Sequence, residues 1–206
     1  MEKVNWIICR TWIFVAMFML KVTCLSAQGA IWITTNQSAE GMPLFRKVFE
    51  VEKKPEIAKL YATALGVYDV SVNGKRVGNH ELKPGWTDYR KEVSFQVFDI
   101  APLLRKGKNE IQVQLSRGWW AGEISREVYG AHPQLSLWAR IEVDGSCVAK
   151  TDSTWVYSLN GPLIAGDIYD GEIYDARRIP ADWESAVENK SVQVLLVPFE
   201  GPEVRV

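Results

Sequence analysis

The chain has 206 residues, 47% of them hydrophobic, and a formal net charge of −1. This length suits one domain plus a short extra segment, and the hydrophobic content allows a buried core. The near-neutral charge excludes the strongly basic surface that nucleic acid or an anionic membrane would require. The two histidines exclude a metal site built from several histidines.

Residues 1–27 have the pattern of a secretory signal peptide. Lys3 and Arg10 supply positive charge, residues 12–20 form an apolar run, and Ser26 and Ala27 are small enough for cleavage. The run is shorter than the roughly 20 apolar residues that a membrane span needs. We therefore expect a secreted or periplasmic protein with no membrane span after cleavage.

The positions of the cysteines predict a domain without an internal disulfide. Cys9 and Cys24 lie in the leader, so cleavage after Ala27 would leave Cys147 alone and exclude an internal disulfide. The residues before Cys24 match a lipoprotein signal poorly, and no lipid anchor is expected.

The remaining chain shows hydrophobic residues at every second position, which predicts β-strands with one buried face. The predicted strands are residues 47–51, 58–65, 93–98, 111–116 and 135–143. In the third of these, Val93, Phe95 and Val97 are expected to face the core.

Turn signals separate these strands. Asn73–Gly74 lies between two short β runs and predicts a type I′ hairpin, because both central positions of that turn need positive φ. Asp144–Gly145 predicts a second hairpin, and residues 106–109 predict a further turn. Only single helical turns are expected, at residues 100–104 and 182–187.

Many short strands with turns between them indicate an all-β fold, an antiparallel β-sandwich of the jelly-roll, galactose-binding-like type. We assign residues 31–180 to this sandwich. Residues 181–206 read as a linker and the first strand, residues 192–197, of a following domain that the chain does not contain.

Familiar catalytic patterns are missing from the sequence, which has no Gly-rich phosphate loop, no Gly-x-Ser-x-Gly elbow and no paired-cysteine zinc pattern. His80 and His132 lack any motif around them. The densest acidic segment holds Asp167, Asp170, Glu172 and Asp175. If the segment is extended, Asp170 and Glu172 share one face and Asp167 leaves the other.

Three uses of the acidic segment remain open. Two positioned carboxyl groups are the requirement for glycoside hydrolysis, and oxygen ligands near a glycine suit calcium. A solvated or interdomain surface is the third interpretation.

Three segments in order resemble the N-terminal domain of bacterial α-L-rhamnosidases of glycoside hydrolase family 78. They are residues 65–89 with the Asn-Gly hairpin and Pro-Gly-Trp-Thr-Asp-Tyr, residues 107–122 with Arg-Gly-Trp-Trp-Ala-Gly, and residues 167–177 with Asp-Ile-Tyr-Asp-Gly-Glu. The resemblance extends from Ile31 to the end of the chain. It implies a β-sandwich that precedes a helical barrel, and it places the family's catalytic acid and base on that barrel, which this chain does not include.

The resemblance implies an accessory domain without catalytic residues, whose partner is a rhamnose-containing glycan or the missing catalytic domain. The candidate sugar-binding residues are Trp86, Asp88, Trp119, Trp120 and Arg117, since aromatic faces stack on sugar rings and the residues lie on loops. The alternatives are that the tryptophans cap the core or face another domain, and that the chain is a truncated product with a structural role only. Some related modules bind rhamnose through calcium, so calcium is the one cofactor to consider.

Overall fold

A computed structural model describes residues 29–35, 42–130, 133–178, 190–191, 193–194 and 203–205. The predicted signal peptide, His132 and the predicted turn at residues 182–187 lie outside these residues. None of the helices in the described part is long and apolar enough to cross a membrane.

About half of the described chain is β-strand. The first strands are β1 (Ile33–Thr34), β2 (Leu44–Val51), β3 (Ala58–Leu65), β4 (Val67–Val72), β5 (Lys75–Arg76), β6 (Glu92–Ser94), β7 (Gln96–Asp99) and β8 (Gly107–Ser116). The later strands are β9 (Ser136–Val143), β10 (Ser146–Lys150), β11 (Val156–Ser158), β12 (Leu163–Asp167), β13 (Gly171–Tyr174), β14 (Lys190–Ser191), β15 (Gln193–Val194) and β16 (Glu203–Arg205).

The helical elements are short. They are α1 (Gly118–Ala121) and α2 (Arg126–Tyr129), with 3₁₀ turns at Ala101–Leu103, Glu123–Ser125 and Ala176–Arg178. The turn at Ala101–Leu103 confirms the prediction for residues 100–104.

Two sheets form the sandwich. The first has the order β15-β1-β9-β3-β7, with β10 also on β9, and the second has the order β14-β11-β2-β8-β4-β5. Among the described residues, the strand pairs within these two sheets are antiparallel, as the alternating pattern predicted. The antiparallel β-sandwich is therefore confirmed.

The core lies between the sheets, where strands of both sheets send every second side chain inward. Leu60 and Leu137 come from the first sheet and Phe45 and Val113 from the second, and each has no exposed surface. Burying a side chain of this size contributes about 2 kcal/mol. Sequence alternation in β3, β8 and β9 thus supplies the main stabilisation of the fold.

A second hydrophobic cluster lies apart from this core. Trp32, Leu65, Tyr89 and Val93 are buried in it, and Trp119, Trp120, Tyr129 and Trp138 pack against it. It anchors the loop after Gly85 and helices α1 and α2. The aromatic residues singled out from the sequence are therefore gathered in one region of the molecule.

Both predicted hairpins are confirmed. Asn73 and Gly74 have φ of 51° and 74°, and Asp144 and Gly145 have φ of 47° and 83°. These are the left-handed conformations that a type I′ turn requires.

The strand predicted over residues 93–98 is wrong in its register. It is broken at Phe95 into β6 and β7, so that Phe98 is 6% exposed while Val97 is 43% exposed. The Phe95 ring packs against the rings of Tyr61 and Trp138, with centroids 6.0 and 6.3 Å away. After the break, the even-numbered rather than the odd-numbered positions face the core. Phe98 is therefore buried there, and Phe95 and Val97 are not.

The turn predicted at residues 106–109 is displaced. Strand β8 already begins at Gly107, whose φ is 87°, and Asn109 is a buried strand residue. The bend precedes Gly107, because the Asn109 side chain holds the backbone of residues 105 and 107 by hydrogen bonds.

The segment after residue 180 contributes short strands to this fold. Strand β14 pairs with β11 of the second sheet, β15 pairs with β1 of the first, and β16 lies parallel to β6. The boundary at residue 180 and the assignment of residues 181–206 to a linker and a following domain stay predictions.

Candidate functional site

A pair of tryptophans, of which one is exposed, lies at the edge of the second cluster. Trp86 is 51% exposed, and its ring meets that of Trp119 edge to face, with centroids 5.3 Å apart and planes at 68°. The Trp119 indole N–H donates to the carbonyl oxygen of Leu82 at 2.9 Å. Trp119 is therefore fixed, and it holds Trp86 at the surface.

Trp120 is placed differently from its neighbour. Its ring lies against those of Tyr129 and Tyr89, with centroids 4.8 and 6.0 Å away, and its indole N–H donates to the carbonyl oxygen of Gln134. It packs against both hydrophobic clusters. Trp120 thus serves packing, one of the three roles considered for it.

The Asp88 side chain makes its hydrogen bonds within its own turn. Its Oδ1 accepts from the backbone N–H and the Nε of Arg90, at 3.2 and 2.9 Å, and Lys91 lies 3.6 Å from its Oδ2. The hydrogen bond from Arg90 lowers the pKa of the Asp88 carboxyl below its usual range. Asp88 therefore shapes the loop that carries Trp86.

Arg117 links the end of β8 to the hairpin of β12 and β13. Its backbone N–H donates to the carbonyl oxygen of Gly166 at 3.1 Å. Its Nε is buried and has no hydrogen-bond partner among the described residues. Arg117 comes directly after β8 in the chain, at the point where the β12–β13 hairpin lies against the second sheet.

A groove of about 620 Å³ lies between that hairpin and the face of β4 and β8 that points away from the core. Its wall on the sheet carries Asp69, Gln112 and Gln114, and its wall on the hairpin carries Asp167 and Glu172. Apolar side chains complete the lining. We call this the hairpin groove.

The aromatic pair adjoins the hairpin groove through Leu82. This residue lines the groove, is 48% exposed, and accepts the Trp119 hydrogen bond. An exposed aromatic ring and a groove with polar walls are therefore contiguous. This combination suits a ligand with both apolar faces and hydroxyl groups.

A buried lysine fixes the loop between the groove and Trp86. Lys83 is 2% exposed, and its Nζ lies 2.9 Å from both Asp69 Oδ1 and the carbonyl oxygen of His80. Arg76 bridges Asp69 and Glu81 at 3.1 and 2.8 Å. The Arg76 hydrogen bond also lowers the pKa of the Glu81 carboxyl. His80 itself is exposed, as expected of a loop residue.

The acidic segment folds as the β12–β13 hairpin. Asp167 accepts backbone N–H groups from Glu123 and Tyr169 at 3.0 and 2.8 Å. Asp175 is paired with Arg177 at 2.7 Å, which lowers the pKa of its carboxyl. Asp170 and Glu172 are exposed on the hairpin.

The four carboxylates do not converge on one point. Among the described residues, no group of three or more histidine, cysteine or acidic side chains is placed to hold a metal ion. The described residues therefore provide no set of ligands for the calcium ion considered from the sequence.

Sequence reasoning missed the hairpin groove and Lys83. The alternation in β8 did predict that Gln112 and Gln114 face away from the core. It carried no signal that the β12–β13 hairpin crosses that face.

The two packed sheets and the added hairpin define an antiparallel β-sandwich module. A family model described as the α-L-rhamnosidase N-terminal domain matches residues 53–205. The chain belongs to this family.

Similar proteins are α-L-rhamnosidases. That of Streptomyces avermitilis is 40% identical over 137 residues, which are 65% of this chain and 13% of that protein. One from Formosa agariphila is 35% identical over 144 residues, or 67% of this chain and 16% of that protein.

Solved structures agree with these sequence matches. The Aspergillus terreus enzyme has a TM-score of 0.72 at 33% identity, covering 83% of this chain and 22% of that one. The Streptomyces avermitilis enzyme, solved with L-rhamnose, has a TM-score of 0.68 at 33% identity, covering 80% and 17%. The chain thus spans between 13% and 22% of the length of these relatives.

Proposed function

We propose that the chain is a non-catalytic accessory domain that binds rhamnose-containing glycans through Trp86 and Trp119. The observation that carries the proposal is the half-exposed Trp86 ring, which Trp119 holds edge to face beside the hairpin groove. We further propose that the protein acts outside the cytoplasm, on the basis of the signal-like residues 1–27.

The aromatic pair provides the binding energy in this proposal. The face of an indole ring carries negative charge density, which attracts the slightly positive C–H groups of a sugar ring. Trp119, which is held by Leu82, packs edge to face against Trp86, so less conformational freedom is lost when a sugar covers Trp86. A fixed aromatic residue of this kind is the usual energetic centre of a binding surface.

The hydrolytic step is assigned to another part of a longer polypeptide. Relatives named α-L-rhamnosidases extend well beyond the matched region. Hydrolysis of a glycosidic bond requires an acid and a second carboxylate on opposite sides of the bond. Asp167 and Asp175 are instead held by backbone N–H groups and by Arg177.

Calorimetric titration of the purified chain with an α-L-rhamnosyl disaccharide tests the proposal. Trp86→Ala is expected to weaken binding about 30-fold, the effect of losing roughly 2 kcal/mol at a central aromatic residue. Ile57→Ala serves as the control, because Ile57 is also exposed, at 62%. It precedes the start of β3, whereas the second cluster contains Leu65 at the other end of that strand. Equal affinity in Trp86→Ala would refute the proposed site.

The absence of hydrolysis is tested in parallel. The purified chain is expected to release no p-nitrophenol from p-nitrophenyl α-L-rhamnoside. Release that disappears in Asp170→Ala or Glu172→Ala would show that the acidic segment is catalytic and would contradict the proposal.

A structural role between domains is the second candidate. Tyr169, Ile173 and Tyr174 on the hairpin are 67%, 60% and 54% exposed. Large apolar side chains exposed on a single hairpin suit a surface that contacts another domain. If this is their role, Ile173→Ser should make the isolated chain more soluble, and the chain should bind no rhamnoside.

A further inference from the structure

We propose that the hairpin groove binds the sugar unit next to the one on Trp86, and that it selects neutral units over units bearing a carboxylate or sulfate. This inference rests on the proposed function and deepens it, because it names the class of glycan. It follows from the hydrogen-bonding groups and charges of the groove walls.

The amide side chains in the groove offer acceptors. Gln114 Nε2 donates to the carbonyl oxygens of Met42, Pro43 and Leu115, each at 3.1 Å. Gln112 Nε2 donates to Glu110 Oε1 at 2.5 Å. The N–H groups of Gln114 are used within the protein, so its amide oxygen remains to accept from a ligand. Gln112 keeps its amide oxygen and one N–H for a ligand.

The charged side chains that line the walls are carboxylates. Asp69, Glu81, Asp167 and Glu172 line the groove, and no lysine or arginine does so among the described lining residues. Ionised carboxylates accept hydrogen bonds and donate none. Sugar hydroxyl groups donate readily to such acceptors, whereas an anionic substituent brings only further acceptors.

The charges of the groove are only partly neutralised. Asp69 and Glu81 share the cations of Arg76 and Lys83. Asp167 is held by backbone N–H groups, and within the described residues no cation lies within ion-pair distance of Glu172. Asp167 and Glu172 therefore leave the hairpin wall negative, and a uronate or sulfate group there would be repelled.

The size of the groove fits this assignment. A volume of about 620 Å³ lies within the range of pockets that enclose a small organic ligand. Leu82 joins the groove to Trp119, so a sugar on Trp86 can continue into the groove through its glycosidic bond. The contiguous surface suits a short oligosaccharide rather than a single sugar.

Calorimetry with a matched pair of ligands tests the inference on the whole chain. The pair is α-L-rhamnosyl-glucose and α-L-rhamnosyl-glucuronate, which differ by one carboxylate. We expect the neutral disaccharide to bind at least tenfold tighter at low ionic strength. The difference should shrink in 0.5 M NaCl, roughly as expected from screening by added salt.

Two conservative variants test whether Glu172 causes the preference for the neutral disaccharide. Glu172→Gln is expected to reduce the preference at least threefold, mainly because the glucuronate binds better. Glu50→Gln is the matched control, since Glu50 is exposed on β2 opposite Lys108, at the end of β8 away from Gln112 and Gln114. The control should keep the wild-type preference.

The outcomes separate this inference from the proposed function. Equal or tighter binding of the glucuronate, or an unchanged preference in Glu172→Gln, overturns the inference even if Trp86→Ala still weakens binding. Failure of both ligands to bind, or binding that Trp86→Ala does not alter, overturns the proposed function and the inference with it.

Discussion

Asn109 offers the sharpest test of how the fold is held together. Its side chain is 1% exposed and makes four hydrogen bonds. Its Oδ1 accepts from the Arg105 N–H and from Asn73 Nδ2 at 2.9 and 2.8 Å, and its Nδ2 donates to the carbonyl oxygens of Arg105 and Gly107 at 2.7 and 2.9 Å. One side chain thus joins the bend before β8 to the Asn73 hairpin.

Replacing Asn109 with alanine removes all four bonds and leaves the backbone groups of Arg105 and Gly107 and the Asn73 amide without these partners. At about 1 kcal/mol for each bond, the free energy of unfolding should fall by about 3 kcal/mol, allowing for some entry of water. For a chain of this size the melting temperature should then fall by roughly 6–12 °C.

Urea unfolding followed by tryptophan fluorescence measures this loss. Asn79→Ala is the control, because Asn79 is exposed in a loop, and it should change stability by no more than about 0.5 kcal/mol. A loss below about 1 kcal/mol in Asn109→Ala would refute the idea that this side chain organises the bend.

Three further predictions concern the loops and the core. Lys83→Met should cost about 2 kcal/mol in chemical unfolding, less than a fully buried ion pair would, because Asp69 is half exposed and keeps Arg76; no loss would contradict the role of Lys83. Gly118→Ala should destabilise by about 1–3 kcal/mol, since φ is 47° and the new Cβ would overlap the Val67 side chain; a wild-type melting temperature would argue against this. Burial raises the pKa of Tyr68 and Tyr89, so the folded protein keeps their phenols protonated where the unfolded chain ionises them. Stability should be retained below about pH 10 and fall above it, and absorbance at 295 nm should show these two tyrosines ionising only as the protein unfolds.

The elements that the sequence predicted well are those with local causes. The Asn73–Gly74 turn depends on two adjacent residues that tolerate positive φ. Strand β3 was predicted at its observed bounds, Ala58–Leu65. Its buried Ala58, Leu60 and Ala62 alternate with Lys59 and Tyr61, and burial then continues through Leu65.

The errors arose where distant residues decide the structure. The break at Phe95 goes with pairing to β3, where the Thr63 hydroxyl donates to the carbonyl oxygen of Ser94 at 2.7 Å. Lys83 is buried because Asp69, His80 and the ring of Tyr68 surround it. Neither arrangement has a signature in the neighbouring residues.

The candidate site was predicted in part. The sequence identified Trp86 and Trp119, and the structure brings their rings together. It also identified Asp167 and Glu172, which the structure places on the hairpin wall of the groove. Their relation to Gln112 and Gln114 depends on how the hairpin crosses the second sheet, which hydrophobic periodicity does not encode.

A crystal structure of the chain soaked with α-L-rhamnosyl-glucose tests the central claim most directly. We expect one sugar ring against the indole of Trp86 and its neighbour between β8 and the β12–β13 hairpin. A disaccharide bound elsewhere, with Trp86 still facing solvent, would contradict the account.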